Sequence, residues 1–247
     1  MVVASVMQVS VLVFHHRRGG GARLARQGAR GLVYRQAATA IIALGIVWST
    51  AAWATKLEIG NFADGELAGW KEKVFSGKTA YQLVKQDDGW LLMATSKVTA
   101  SGLYKKQSVD LTKTPYLNWT WKVDNVLDGV DERTKAGDDY PARIYVVFSG
   151  GLLFWKTRAL SYVWSSNQPV NSAWPNAFTA NTHMVAARSG TAKLGITLQE
   201  KRNVREDFRR HFGEDVTEAD AIAIMTDTDN SGLAATAHYG SIYFSSQ

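Results

Sequence analysis

The amino-acid sequence predicts an all-β fold, a two-sheet β-sandwich with one short helix. Short segments rich in β-branched and aromatic residues alternate with clusters of Gly, Asp, Asn and Ser, which is typical of sandwiches with short turns. Two of these segments also alternate between apolar and polar residues, as half-buried strands do. A single stretch has the spacing of an amphipathic helix.

The segment Tyr116–Val123 shows the alternation most clearly. Trp119, Trp121 and Val123 fall on one side of an extended chain, and the polar residues between them fall on the other. The predicted strands are Lys56–Phe62, Ala80–Lys85, Gly89–Ser96, Ala100–Ser108, Tyr116–Val123, Ala142–Phe148, Ala159–Trp164, Thr182–Ala187, Leu194–Asn203, Ala221–Thr226 and Ala237–Phe244.

The helix is predicted over Val204–Phe212. Apolar residues recur there at helical spacing, and Gly213 is suited to end the helix because glycine adopts the left-handed conformation without steric cost. A further helical turn is expected at Thr217–Asp220, where Thr217 is a suitable N-cap.

Residues 1–54 have the features of a secretory signal peptide preceded by an extension. They contain six arginines and no Asp, Glu or Lys, and an apolar stretch, Ala37–Trp48, precedes small residues at Ala52 and Ala54. The sequence therefore divides into residues 1–54 and a single sandwich domain at 55–247. We expect a periplasmic or secreted protein without stable membrane insertion after signal cleavage. An uncleaved membrane anchor is the alternative.

The charge of the chain lies mostly in that leader. The whole sequence has 28 basic and 22 acidic residues, so removing the six leader arginines leaves equal numbers of each in residues 55–247. A neutral domain argues against a nucleic-acid partner, which requires clustered positive charge. The absence of cysteine excludes disulfides, thiol nucleophiles and thiolate metal sites.

Several segments of the sequence resemble known families. The opening FADGELAGW at 62–70 looks like the first strands of jelly-roll glycan-binding domains, of the galactose-binding or concanavalin-like kind. The motifs PYLNWTWKVD at 115–124, GDDYPARIYVVF at 137–148, EKRNVREDFRRHFG at 200–213 and IAIMTDTDNSGLAATAHYGSIYF at 222–244 resemble a bacterial exported family described as domain of unknown function 3047. The resemblance implies a β-sandwich and export, and it carries no activity.

The segment GDDYPAR contains the first group of candidate ligand-binding residues, Asp138, Asp139 and Arg143. A planar guanidinium beside carboxylates suits a ligand with adjacent hydroxyls or a carboxylate. A structural ion pair that closes a loop would have the same sequence, and such pairs at strand ends are common.

A second charged group follows at Glu200, Arg202, Asn203 and Asp207. The strand period places Glu200 and Arg202 on one side, together with Leu198, so both could be partly buried and would then need partners. One interpretation places Glu200, Arg202 and Arg143 on a common sheet face as a ligand platform. The other is an internal network of salt bridges.

Aromatic residues are the third group. Sugar rings present an apolar face that proteins often contact with flat aromatic rings. Tyr162 and Trp164 are therefore candidate ligand-binding residues. A tryptophan at such a position is more often part of the core.

The segment IAIMTDTDNSG ends an apolar run with Asp227, Asp229 and Asn230. A turn in which Gly232 takes a positive φ is the first interpretation, and direct contact with a ligand is the second. Calcium at Asp227 and Asp229 is the third, because their spacing matches the start of a calcium loop, although His238 replaces the final glutamate. No other cofactor is predicted.

Taken together, these features favour an exported protein that binds a carbohydrate or a related small polar ligand on a sandwich face. A polysaccharide-degrading enzyme, either a glycoside hydrolase or a lyase, and a structural envelope protein stay open as alternatives. The sequence lacks the G-x-S-x-G, H-E-x-x-H and P-loop motifs. Glycoside hydrolysis needs only a pair of carboxylates at a suitable distance, so the sequence leaves catalysis undecided.

Overall fold

Because apolar residues alternate along most strands, each of these strands has one apolar face that must be buried. Two β-sheets bury these faces against each other. The structure is a computed structural model that describes residues 55–86, 89–152 and 154–247. The predicted extension and signal peptide at 1–54 lie outside the described residues, and the boundary at residue 55 stays a prediction.

The strands and the helix have the following bounds. They are β1 (Lys56–Asn61), β2 (Lys71–Ser76), β3 (Ala80–Gln86), β4 (Gly89–Lys97), β5 (Ala100–Asp110), β6 (Tyr116–Val123), β7 (Ala142–Phe148), β8 (Arg158–Ser165), β9 (Ala173–Pro175), β10 (Thr182–Ser189), β11 (Leu198–Asn203), α1 (Val204–Phe212), β12 (Glu218–Asp227) and β13 (Ala234–Ser245).

The strands form a six-stranded and a seven-stranded sheet. Sheet A has the order β11-β6-β13-β4-β3, and β1 also pairs with β13. Sheet B has the order β2-β5-β12-β7-β8-β10-β9, in which only β8 and β10 run parallel. The predicted two-sheet sandwich with one short helix is confirmed.

Aromatic rings from both sheets meet in the core. Trp119 of sheet A packs against Tyr162 of sheet B with 5.5 Å between ring centroids, and Trp121 packs against Trp164 at 5.9 Å. All four side chains are fully buried. Burying each such ring contributes about 2–3 kcal/mol to folding, so these contacts are a large part of what holds the two sheets together.

The helix α1 has the predicted bounds. Gly213 ends the helix with a φ of 72°, and the helix buries its own Val204 and Phe208. Among the residues that the structure describes, no helix has the length and hydrophobicity needed to cross a lipid bilayer.

The helical turn expected at Thr217–Asp220 is wrong, because β12 begins at Glu218. Pairing with β5 decides this: Ala219 lies opposite Val109 and is fully buried, and the Thr217 carbonyl accepts a hydrogen bond from Leu111. A long-range strand pair therefore overrides the local N-cap pattern. The short strands β2 and β9 were not predicted, since both lie at sheet edges and lack a clear alternation.

A β-bulge in β13 depends on glycine. Tyr239 lies opposite Trp121 and Ile242 opposite Trp119, so Gly240 and its neighbour both face the single residue between them, Thr120. A Cβ at Gly240 would lie 2.1 Å from the Thr120 hydroxyl oxygen. A side chain at this position would force the Thr120 side chain to move.

We therefore expect Gly240→Ala to lower the free energy of unfolding by about 1–3 kcal/mol through overpacking. Chemical denaturation measures the loss. The double variant Gly240→Ala, Thr120→Ala removes the clashing oxygen and is expected to recover part of it. An unchanged stability in Gly240→Ala would contradict the close approach.

Candidate functional site

Most of the predicted site residues fall into two groups, one at an end of sheet B and one on β11 of sheet A and the helix that follows it. Six of them meet at one end of sheet B, because β7 begins beside the end of its antiparallel neighbour β12, with Arg143 opposite Met225. We call four of them the acidic cluster: Asp138, Asp139, Asp227 and Asp229. Arg143 lies among these carboxylates and Asn230 lies in the following turn. The interpretation that placed Arg143 on a common face with Glu200 and Arg202 is wrong, since those residues belong to sheet A.

Arg143 is a buried cation with several partners. It is 4% exposed, its Nη2 donates to Asp227, and its Nη1 lies 4.0 Å from an oxygen of Asp138. Burial lowers the pKa of Arg143, but Asp227 and the neighbouring groups outweigh this and raise it, so the guanidinium stays charged. Its Nε has no hydrogen-bond partner among the described residues.

Four carboxyl groups lie around this one cation, and burial raises the pKa of three of them. Burial raises the pKa of Asp138 to about 6, although Arg143 and a hydrogen bond from Asn176 act in the other direction. Burial also raises the pKa of Asp227, against the effect of Arg143, and burial together with Asp139 raises that of Asp229. Burial therefore favours the neutral forms of these three carboxyl groups, while the nearby Arg143 favours their charged forms.

Asp139 holds the turn that follows β12. Its carboxylate accepts hydrogen bonds from the backbone N–H groups of Asn230 and Ser231, and from the Asn230 side chain at 3.1 Å. Gly232 has a φ of 72° and donates to the Thr228 carbonyl at 3.0 Å. The predicted turn is thus present, but its main capping carboxylate comes from a distant part of the chain.

Three carboxylates of the acidic cluster could hold a metal ion. One oxygen each from Asp139, Asp227 and Asp229 lies within 4.8 Å of the others. Carboxylate oxygens are the ligands that calcium prefers. Calcium at Asp227 and Asp229 stays a prediction, to which the structure adds Asp139 as a third ligand from outside the sequence motif.

An open cleft lies beside the acidic cluster. It has a volume of about 400 Å³ and separates residues 128–137, which we call the cleft loop, from the turn at 228–233. Its lining is Asp128, Gly129, Val130, Asp131, Thr134, Ala136, Gly137, Asn230, Ser231 and Leu233. Of these, only Asn230 was predicted from the sequence. The high density of polar residues and glycine in DGVDERTKAGDD is the sequence signal that could have indicated the cleft-lining residues at 128–137.

The cleft loop is held in one shape by buried contacts. Glu132 is fully buried and accepts hydrogen bonds from the Ser165 hydroxyl and the Ser166 N–H. A Cβ at Gly137 would lie 2.3 Å from the Asp131 carbonyl oxygen, so the loop closes on itself through glycine. Preformed loops of this kind lose little conformational entropy when a ligand binds.

The second group of predicted residues connects the sheets instead of forming a cleft. Glu200 accepts a hydrogen bond from the Trp121 ring nitrogen at 3.2 Å and pairs with Arg188. Asp207 accepts a hydrogen bond from the Tyr162 hydroxyl at 3.0 Å and two from Arg202, each at 2.9 Å. Each carboxylate thus joins a core ring to an arginine at the sandwich edge. The internal salt-bridge network is the interpretation that fits.

The remaining candidates have structural positions. Asn203 caps α1, because its side chain accepts a hydrogen bond from the Glu206 N–H. Tyr162 and Trp164 were expected to contact a ligand, but both are fully buried between the sheets and offer no surface for stacking. The two side chains share one face of β8, and that face is directed inward, towards the tryptophans of β6.

The family assignment rests on most of the domain. Residues 68–243 match the family described as "Protein of unknown function (DUF3047)". The chain belongs to this family. A comparison of this DUF3047 protein with curated proteins finds no match.

Solved structures similar to this DUF3047 protein include a family 11 carbohydrate-binding module of a cellulosomal cellulase from Clostridium thermocellum. That likeness has 10% identity and a TM-score of 0.43, and covers 77% of this chain and 94% of the module. A thermostable cellulase derived from the Cel12A cellulase of Rhodothermus marinus is similar at 9% identity and a TM-score of 0.44, covering 77% and 99% of the two chains. At these values, nothing that those proteins bind carries over.

Asp207→Ala is expected to lower the free energy of unfolding by about 3 kcal/mol, because it leaves the Tyr162 hydroxyl and Arg202 without their shared acceptor. Asp215→Ala is the matched control, since it breaks an arginine pair whose side chains are 38% and 51% exposed. Its loss should stay below about 1 kcal/mol. Equal losses in urea denaturation would contradict the connecting role of Asp207.

The raised pKa of Asp138 predicts a pH dependence of stability. A carboxyl with a pKa of about 6 in the folded state stabilises the fold fully below its ordinary value of 3.8, and this contribution is lost as the pH rises through 6. The stability of wild type relative to Asp138→Asn should therefore fall between pH 4 and pH 7, by up to about 3 kcal/mol. Urea denaturation of both proteins across this pH range measures the stability difference. A difference that does not change with pH would contradict the prediction.

Proposed function

We propose that this protein is an exported bacterial protein that binds a carbohydrate in the cleft between the cleft loop and the turn at 228–233. The observation that carries the proposal is the open polar cleft itself, whose two walls are held by buried contacts of Glu132 and Asp139. A partner with many hydroxyl groups fits this lining better than an apolar or an anionic one.

The chemistry of the lining supports a polyhydroxy ligand. The exposed carboxylates Asp128 and Asp131 accept hydrogen bonds from sugar hydroxyls, and the Asn230 amide oxygen offers a further acceptor, since its NH2 group donates to Asp139 and Asp229. Val130 and Leu233 supply a small apolar area for the carbon-bound hydrogens of a sugar ring. The volume of about 400 Å³ lies at the lower end of the range for small-molecule sites, which suits one or two sugar units.

The same lining disfavours nucleic acid, because Asp128 and Asp131 would repel phosphate groups at the mouth of the cleft. Calcium belongs to this proposal. An ion at Asp139, Asp227 and Asp229 would favour the ionised forms of these carboxyl groups and stiffen the adjoining turn.

Affinity electrophoresis of the purified protein against a panel of neutral polysaccharides tests the proposal. Asp128→Asn and Asp131→Asn are expected to weaken binding about tenfold each, because a carboxylate accepts stronger hydrogen bonds than an amide. Glu66→Gln is the matched control, an exposed carboxylate in the loop after β1, and should bind as wild type does. Millimolar calcium should strengthen binding by wild type and have no effect on Asp229→Asn.

The alternatives have distinct outcomes in the same experiment. Release of reducing sugar or of an unsaturated product from the retarding polysaccharide would favour an enzyme. Retention of no glycan, with a lowered melting temperature in both cleft variants, would favour a structural envelope protein. Binding that survives in both cleft variants would sink the proposed site.

A further inference from the structure

The outer face of sheet A is a second polar surface, separate from the cleft. Residues that alternate with the buried ones point away from the core, and the strand register brings them into rows. Lys201 lies opposite Asn118, which lies opposite Tyr243, which lies opposite Glu58. The neighbouring row is Asn203, Tyr116, Ser245 and Lys56. We call the outward residues of β1, β6, β11 and β13 the lysine face.

Two lysines of the lysine face are held over tyrosine rings. The Lys56 ammonium lies 4.2 Å from the centre of the Tyr243 ring, and the Lys201 ammonium lies 4.6 Å from that of Tyr116. Attraction between an ammonium and the negative face of an aromatic ring restricts the otherwise flexible lysine side chain. The strands β11 and β1 are three strand spacings apart, roughly 14 Å, so the two ammonium groups flank the face from opposite sides.

The floor between these lysines is polar and fixed. The Asn118 amide donates to the Tyr116 carbonyl at 3.0 Å and to the Ser245 hydroxyl at 2.9 Å. Thr120 lies beside Gly240 of the β13 bulge, which has no side chain to cover it. Asn118 and Ser245 are only 4% and 5% exposed, so they support the face from below and leave ligand contact to the lysine and tyrosine side chains.

Charge then selects the kind of polymer. On β1, β6, β11 and β13, all within the described residues, the lysine face has Lys56, Lys122 and Lys201 against one carboxylate, Glu58. Glu58 forms an ion pair with Lys56, so an acidic ligand would share the Lys56 ammonium with it. Residues 55–247 are neutral as a whole, so this face concentrates positive charge that the cleft lacks. Apolar side chains that would enter a bilayer are absent from the rows containing Lys56 and Lys201.

We propose that the lysine face binds an acidic polysaccharide, with the ammonium groups of Lys56 and Lys201 on its carboxylate or sulfate groups. This site is independent of the carbohydrate proposed for the cleft. It accounts for two oriented lysine–tyrosine pairs on one sheet, where a merely solvated sheet face needs no such arrangement. Binding should weaken as salt screens the charges.

Affinity electrophoresis of the purified protein in gels containing polygalacturonate tests this proposal, with hydroxyethylcellulose as the neutral gel. Retardation is expected to be stronger in polygalacturonate, because a neutral polymer offers no group for the lysines, and the double variant Lys56→Ala, Lys201→Ala should raise Kd for polygalacturonate about tenfold. Lys78→Ala, Lys113→Ala is the matched control. It removes the same charge from side chains that are 72% and 77% exposed outside the lysine face, and should bind as wild type does.

A second variant separates a binding role from a folding role. Lys56→Arg, Lys201→Arg keeps both the charge and the ring contact and should retain binding, and the melting temperatures of all variants are compared. Equal retardation in both gels, or an equal loss in the control variant, would overturn the proposal. Tighter binding to anionic lipid vesicles or to duplex DNA at the same ionic strength would also overturn it. Asp128→Asn and Asp131→Asn should leave this binding unchanged, which distinguishes it from the cleft.

Discussion

The packing of aromatic rings between the two sheets is the interaction on which the rest of this structure depends. The tryptophans of β6 lie against Tyr162 and Trp164 of β8, and buried indole and phenol groups need hydrogen-bond partners. Glu200 and Asp207 supply two of these partners, and each then requires an arginine to balance its charge. The charged motif of β11 and α1 is therefore a consequence of the aromatic core.

At one end of sheet B the electrostatic situation is different. Arg143 is a single buried cation among several carboxylates, and burial keeps the pKa of Asp138 at about 6. Asp139 directs its oxygens to the backbone of the turn at 228–233 and so joins the acidic cluster to one wall of the cleft. Because the same carboxylates are in the cluster and support the wall, a cation bound there would act on both.

The domain is neutral as a whole, yet its polar surfaces differ in sign. Carboxylates line the cleft, whereas lysines flank the outer face of sheet A. On sheet A the strand period separates the outer face from the core, since alternate residues of β6 lie in the core and on the outer face. The tryptophans that hold the sheets together and the tyrosine that holds Lys201 therefore come from one short segment.

Much of this architecture is determined by the sequence alone. Local signals predict α1 at both ends and most strands within a few residues, because helix capping and side-chain alternation depend only on near neighbours. They also indicate the turn at Gly232. Only the tertiary structure decided which strands are adjacent. Strand order brings Asp138 and Asp139 beside Asp227, moves Glu200 to the other sheet, and folds the cleft loop against the turn, since these contacts join residues tens of positions apart.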